Sequence, residues 1–503
     1  MPPPATHPLA AGRLGATALI FVALAAAAPL SVITNTIPIA YAGNDVPFVP
    51  LLFPAVALVL LLFGVGYAAM VRRSPNAGAL YSFIARGLGR PTGIGAAWLA
   101  LFSYNALQIG LYGATGLLAA PLLDGWFGVS APWWAVAGGC WLVVTLCGLL
   151  RVELAGAILA LVVLAEAAVI AGFGAANLID PAAEGVTTDT LVPAGVVDRP
   201  AVGLLLVIAA FGFVGFETTA AYAEETGRPR RSVARATYLS VLGLAVLYAF
   251  SAWTTSVATG PGEIAARSVD GGELLFDLVG DRLAPWAVTL GRTMLLTGVL
   301  AAMISLHHTV ARYTYALARE GVLPARLGHT GARTSVPIAA SLTQSVVALL
   351  TLTGALLAGW EPATELYPWL TTAGALGVLL LLLATSLSAL LFLNRAPNDE
   401  GPWRAFVAPA LATVLLGALV YLAATDLPAL LGVPSRHWLV LAVPLAYAAL
   451  VTFGLLFGVI LKTRSPITYA GIGLGGTAVV VAPAVPAQRS PGAHRPDRIQ
   501  RSA

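Results

Sequence analysis

Apolar residues gather into twelve runs of roughly 20 residues or more, the length of helix that crosses a bilayer. They fall at approximately 15–41, 47–71, 93–121, 131–149, 153–179, 201–222, 234–259, 284–315, 336–358, 366–393, 405–424 and 437–461, and are called spans 1–12 in that order. The pattern predicts an all-α integral membrane protein with about twelve transmembrane helices. No polar stretch between the runs is long enough for a soluble domain. The longest connections on one side are 180–200 and 260–283, and the second is expected to carry a short interfacial helix.

Two spans break the apolar pattern near their middle. In span 1, "PLSVITNTIP" (29–38) sets Ser31, Thr34, Asn35 and Thr36 between two prolines. In span 6, "IAAFGFVGFETTAAYAEE" (208–225) alternates Gly212 and Gly215 with Phe211, Phe213 and Phe216 ahead of Glu217. Glycine loosens a helix by about 1 kcal/mol relative to alanine, and an interrupted helix is tolerated in lipid only where it faces protein or a water-filled cavity. The breaks occupy the first position of two successive five-span blocks, the pattern of an inverted-repeat secondary transporter with its substrate at the midplane. Helix ends exposed there offer N–H groups to an anion and C=O groups to a cation, which suits a zwitterion. A proline kink whose polar residues bond back to their own helix is the structural alternative for span 1.

Composition agrees with a membrane protein: the chain is 58% hydrophobic and 10% charged, with a mean hydropathy of +0.86. Charge adds the orientation. With the N-terminus inside, the inner segments hold 22 of the 27 Lys and Arg residues and the outer segments four, leaving Arg292 within span 8. Basic residues collect on the cytoplasmic side, so both termini are expected there, in a multi-pass cell-membrane protein. A cleaved signal peptide over residues 1–30 is not expected, because the apolar run continues to Tyr41. Cys140 and Cys147 lie about 10 Å apart on one helix, too far to bridge, and read as packing residues. "GIGLGG" (471–476) matches a dinucleotide fingerprint only by chance, since no strand precedes it. "RPRRS" (228–232) is a cytoplasmic orientation signal rather than a nucleic-acid patch. No cofactor and no metal site is expected.

Three stretches resemble the amino acid–polyamine–organocation (APC) superfamily of permeases. "FGFVGFETTAAYAEETGRPRRSVARATY" is similar to its sixth-span signature, "ARYTYALAREGVLPARLG" (311–328) to its motif after span 8, and "SPNAGALYSFIARGLGRP" (74–91) to its approach to span 3. The resemblance covers roughly residues 15–460. It implies a five-plus-five inverted repeat of the leucine-transporter type, with discontinuous helices 1 and 6 and two additional C-terminal helices. The divisions expected are a cytoplasmic tail at 1–14, repeats at 15–179 and 201–393, helices 11 and 12 at 405–461, and a disordered tail at 462–503. Substrate would be cupped by spans 1, 3, 6, 8 and 10. By position, Thr34, Asn35, Thr36 and Ile37 fall where span 1 unwinds to bind the carboxylate, Phe211 on the aromatic that closes over substrate, and Gly212–Gly215 on the unwound part of span 6. Many members carry a Gly-Ser-Gly-like stretch where this chain has Thr-Asn-Thr.

Ionisable residues inside a membrane are expensive and so are functional candidates. Glu166 lies midway along span 5, where the resemblance places an ionisable group replacing a sodium site, and is the leading candidate to take up and release a coupling proton. Glu217 is expected to satisfy backbone N–H groups beside the break. His307 in span 8 is a candidate proton relay or a packing histidine; adjacent to His308, it cannot share a face with it. Sodium coupling would need oxygen ligands such as Ser305 and Thr309. In span 3, Tyr104, Asn105 and Gln108 bond either to a zwitterion or to neighbouring helices. The leading reading is a proton-coupled permease for amino acids or related amines working by alternating access. Sodium symport and exchange are the alternatives, ahead of a non-transporting sensor or a membrane-embedded enzyme.

Overall fold

The computed structural model describes residues 9–42, 46–73, 78–193, 201–331, 334–395 and 400–475. Among these residues, eleven helices are long and apolar enough to cross a membrane. They are Ala16–Tyr41, Val49–Arg73, Arg90–Phe127, Val152–Ile179, Ala201–Glu225, Pro229–Thr259, Pro285–Arg319, Ile338–Leu357, Pro362–Arg395, Trp403–Thr425 and Trp438–Arg464. The fourth expected span is the apolar helix Trp133–Cys147, only 15 residues long. Spans 3 and 8 run past their apolar cores, as Arg90–Phe127 and Pro285–Arg319, because flanking polar residues continue both helices beyond the hydrophobic run.

Spans that stand five apart in sequence lie against one another: 1 with 6, 2 with 7, 3 with 8 and 4 with 9. A five-plus-five repeat folded about a pseudo-two-fold axis brings equivalent spans together in this way. Spans 10 and 12 both pack along span 3, and span 11 along span 10.

Span 5 shows how an almost wholly apolar helix still chooses a face. Leu154, Leu161 and Leu164 are exposed, whereas Leu159, Val163, Glu166, Ile170, Phe173 and Asn177 are buried. The buried set repeats every three or four residues, so Glu166 and Asn177 point into the bundle.

The first and last described segments lie on one face of the bundle. Leu14 N–H donates to Glu225 O at 3.0 Å. From the other end, helix Pro466–Gly471 leads to Gly473 and Gly475, whose N–H groups donate to the Glu320 carboxylate at 3.1 and 2.9 Å. Both glycines have positive φ, 77° and 58°, a geometry that turns nearby amides toward one anion. Arg86 and Arg90 donate to the carbonyls of Gly473 and Ala470. The disorder expected from residue 462 onward is therefore corrected over 462–475: helix Trp438–Arg464 continues to Arg464, and a buried acid and two arginines hold the chain beyond it. The remainder of that expectation, 476–503, lies outside the described residues, as do residues 1–8 of the N-terminal tail.

On the opposite face, residues 264–282 form the short segments Ile264–Arg267, Ser268–Glu273 and Leu274–Arg282. The last does not lie flat on an interface. Leu274, Leu275, Phe276, Leu278 and Val279 are buried, and the segment packs against spans 5 and 8. The Ser268–Glu273 turn covers residues 32–41 of span 1.

Candidate functional site: two opposed helix breaks

Span 1 opens at Ala28, six residues before the Thr-Asn-Thr stretch. Ala28 sits in the left-handed region (φ 47°, ψ 65°) between helix Ala16–Ala27 and a second helical stretch starting at Pro29. The residue before a proline is disfavoured in the α region, while proline suits the first turn of a new helix. Pro29 thus sets the break. The placement of the unwound point at Thr34–Ile37 is corrected accordingly: those residues lie in a π-helical turn, Val32–Thr36, and the start of helix Ile37–Tyr41. Pro38 lacks the N–H that would bond four residues back, which accounts for the wider turn. Thr34 Oγ1 donates to Leu30 O at 3.0 Å and Asn35 Nδ2 to Ser31 O at 3.0 Å, the local back-bonding of the structural alternative. Ser31 is buried at the start of this stretch and faces Tyr367 of span 10. Ile37 is buried and Thr36 half-buried.

Span 6 breaks where its glycines predict. Helix Ala201–Phe211 ends, residues 212–215 form turns, and a 3-10 helix runs over Phe216–Glu225. A Cβ on Gly215 (φ 120°) would lie 2.7 Å from the Ala26 carbonyl carbon and 2.8 Å from Ala27 N, while one on Gly212 would lie 3.0 Å from a methyl of Val32. The two glycines thus straddle the Ala28 break, and the broken helices touch backbone to backbone. Phe213 is buried, edge-on to Tyr248 at 5.5 Å, and Tyr248 Oη donates to Gly212 O at 2.8 Å. Phe211 remains half-buried at the lip of the break.

Glu217 serves the break itself. Its carboxylate accepts from Gly215 N–H at 2.9 Å and from Tyr104 Oη at 2.9 Å, and its carbonyl accepts from Tyr67 Oη at 2.8 Å. Tyr104 is thereby committed to span 6. Asn105 Nδ2 donates to Leu101 O at 2.7 Å, and its buried Oδ1 has no partner among the described residues.

Glu166 is different. It is 1% exposed, and neither carboxylate oxygen has a hydrogen-bond partner among the described residues. It stands beside the Leu30 backbone just past the span 1 break and against Gly298 of span 8, where a Cβ would approach Oε1 to 2.2 Å. A buried carboxylate without a donor is costly when charged.

The remaining coupling candidates are engaged elsewhere. Ser305 Oγ donates to Val22 O at 2.9 Å and Thr309 Oγ1 to Ser305 O at 2.9 Å. His307 lies between Gln108, 3.4 Å away, and Ser341, 2.8 Å away. Gln344 Nε2 donates to Gln108 Oε1 at 2.7 Å, completing a polar chain across spans 3, 8 and 9. Two groups of residues were not singled out by sequence. Arg312 and Glu225 form a buried ion pair between spans 8 and 6, with the guanidinium 3.9 Å above the Tyr222 ring, and Arg319 pairs with Glu224 at 2.6 Å beside it. Asn177, Ser251, Thr254 and Thr255 line a cavity on the opposite side of Glu166. Asn177 had a legible signal, since it lies eleven residues beyond Glu166 and so on the same helical face.

A family model described as amino acid permease matches residues 12–476. Among curated relatives, the γ-aminobutyric acid permease of Escherichia coli (strain K12) is 25% identical over 401 residues, covering 77% of this chain and 82% of that protein. The mitochondrial cationic amino acid transporter 3 of Arabidopsis thaliana is 28% identical over 193 residues, covering 38% of this chain. The human cationic amino acid transporter 4 is 29% identical over 195 residues, also 38% of this chain. These two matches span only 29% and 28% of the transporters' own lengths. A match over nearly the whole chain, on a bundle built around two opposed helix breaks, identifies this multi-pass membrane protein as a member of the amino acid permease family.

Proposed function

We propose that the protein accumulates a zwitterionic amino acid or related amine across the cell membrane by alternating access, driven by a proton carried on Glu166. The observation that carries this reading is the unpartnered Glu166 carboxylate beside the span 1 break. Pro29 has no N–H and Val32 N–H is bonded to Ala28 O, so the first-turn donors left for a substrate carboxylate are Leu30 and Ser31 N–H. The carbonyl ends of Ala16–Ala27 and Ala201–Phe211 face the same break and suit an ammonium. A proton on Glu166 removes the cost of a buried charge, so loading and releasing it biases how spans 1, 5 and 8 pack.

Proton rather than sodium coupling is favoured because the Ser305 hydroxyl is bonded to Val22 O, a pairing that a sodium ion between them would have to displace. Relatives named for cationic amino acids and γ-aminobutyric acid make arginine, lysine and γ-aminobutyrate the first substrates to try. The excess of basic residues on the face that holds the first and last described segments supports a cytoplasmic position for it. Purified protein in liposomes separates the couplings. Accumulation driven by an inward proton gradient without sodium is expected, and accumulation that needs a sodium gradient at constant pH would overturn the proposal.

A further inference from the structure

Three neighbouring spans carry the same two-part pattern on the surface that faces lipid. A Cβ on Gly64 of span 2 would lie 3.0 Å from the Tyr238 ring of span 7, and one on Gly66 would lie 3.1 Å from Pro409 of span 11. Two residues apart is about 200° around a helix, so spans 7 and 11 flank span 2 on opposite sides. Span 2 forms the floor of a shallow trough between them, where Leu61 and Val65 are half-buried. The walls are apolar and exposed, with Leu242 and Val246 on span 7 and Leu411 and Leu415 on span 11.

Each stripe ends in arginine at the face that holds the first and last described segments. Arg72 lies seven residues beyond Val65, Arg404 seven before Leu411, and Arg231 and Arg235 eleven before Leu242 and Val246. Those spacings return to one side of a helix. Arg72 and Arg404 share the Glu400 carboxylate, at 2.7 and 3.7 Å, and both lie near the Tyr238 side chain. Arg231 and Arg235 are exposed, and neither has an ion-pair or hydrogen-bond partner among the described residues. The three stripes thus bring four guanidiniums to one end of the trough against a single described carboxylate. The planar guanidinium fork matches two oxygens of a phosphate. From Arg235 to Val246 the wall runs about 16 Å, close to half of a bilayer core about 30 Å thick.

We propose that this trough holds one anionic phospholipid of the adjoining leaflet, with its phosphate on Arg231 and Arg235 and an acyl chain along Leu242 and Val246. The site is separate from the helix breaks and independent of which ion drives transport. Excess positive charge selects an anionic headgroup over a zwitterionic one, whose own cation the arginines repel. The apolar walls select a lipid over a soluble phosphate, because only a lipid also covers them.

The test titrates full-length protein in phosphatidylcholine–detergent micelles with radiolabelled dioleoylphosphatidylglycerol and counts the lipid bound. A saturable site, one per chain, is expected, and phosphatidylcholine at equal concentration is expected not to compete. Each arginine near an anionic headgroup contributes about fivefold, so Arg231→Gln/Arg235→Gln is expected to weaken binding about thirtyfold. Arg404→Gln, on another span, is expected to weaken it about fivefold, which guards against a single misfolded variant. Lys462→Gln/Arg464→Gln removes the same charge at the end of span 12 and is expected to leave binding unchanged. Equal weakening by both double variants would reduce the effect to overall surface charge and overturns the site. Undiminished binding in Arg231→Gln/Arg235→Gln overturns it too. Displacement by glycerol 3-phosphate at comparable concentration would mark a soluble-anion site and overturns it equally.

Discussion

At the scale of single residues, the account turns on how few side chains the breaks tolerate. Gly215 holds φ 120°, and a Cβ there would come within 2.8 Å of Ala26 and Ala27, so Gly215→Ala adds both strain and a clash. Residues forced into such conformations cost about 1–3 kcal/mol, and the clash must also move span 1. The expected outcome is a protein that reaches the membrane but neither binds nor exchanges substrate, read by thermal shift with the transported amino acid. Full exchange activity in Gly215→Ala would show that the two backbones need not meet. Glu166 and Glu217 illustrate a second residue-scale point. Both are acids inside the bundle, yet Glu217 accepts from Gly215 N–H and Tyr104 Oη, while Glu166 has only the Leu30 backbone beside it and no side-chain donor among the described residues. The sequence already assigns Glu217 to backbone N–H groups beside the break and makes Glu166 the coupling candidate; the structure adds the donors, Gly215 N–H and Tyr104 Oη, that hold Glu217.

At the scale of elements, the C-terminal segment is fastened by Glu320, which lies just beyond span 8 and outside the membrane-spanning helices. Burial pushes its carboxyl above the ordinary carboxylate range, against the opposing pull of the Gly473 and Gly475 N–H groups, the Tyr81 hydroxyl and Arg319. Because the docked form holds the proton more tightly than the free form, docking is strongest below the ordinary carboxylate pKa and weakens as pH rises through the raised value. The protection factor over residues 466–475, exchange measured against the intrinsic rate at each pH, is expected to fall with rising pH and to lose that dependence in Glu320→Gln. Identical pH dependence in the variant would assign it to another group. The element boundaries themselves were largely legible. Twelve apolar runs became eleven long helices and one short one, and the span 6 break fell at its glycines, because both signals are local. The span 1 break was misplaced because polarity drew attention to Thr34–Thr36, whereas Pro29 acts on the residue before it. The glycine tail was illegible because its partner, Glu320, is about 150 residues away in sequence and no local pattern announces such a contact.

At the scale of the whole molecule, the two faces are built differently. On the face with the first and last described segments, Arg312–Glu225 and Arg319–Glu224 tie span 8 to span 6, and the Leu14 backbone docks on Glu225. Breaking a buried ion pair by removing one partner costs about 3–5 kcal/mol. Arg312→Ala is therefore expected to lower the melting temperature clearly, and an unchanged value would show that Glu225 finds another donor. On the opposite face, Asn177, Ser251, Thr254 and Thr255 line a cavity instead. Under the proposed function, Glu166 beside the span 1 break would couple a proton to transport if the permease reorients only when that carboxyl is neutral. The most direct measurement is transport by Glu166→Gln in liposomes, because glutamine keeps the neutral shape and cannot release a proton. The account predicts that the variant exchanges labelled substrate across the membrane yet fails to accumulate it under an inward proton gradient. Accumulation by Glu166→Gln equal to that of the unaltered protein would contradict it.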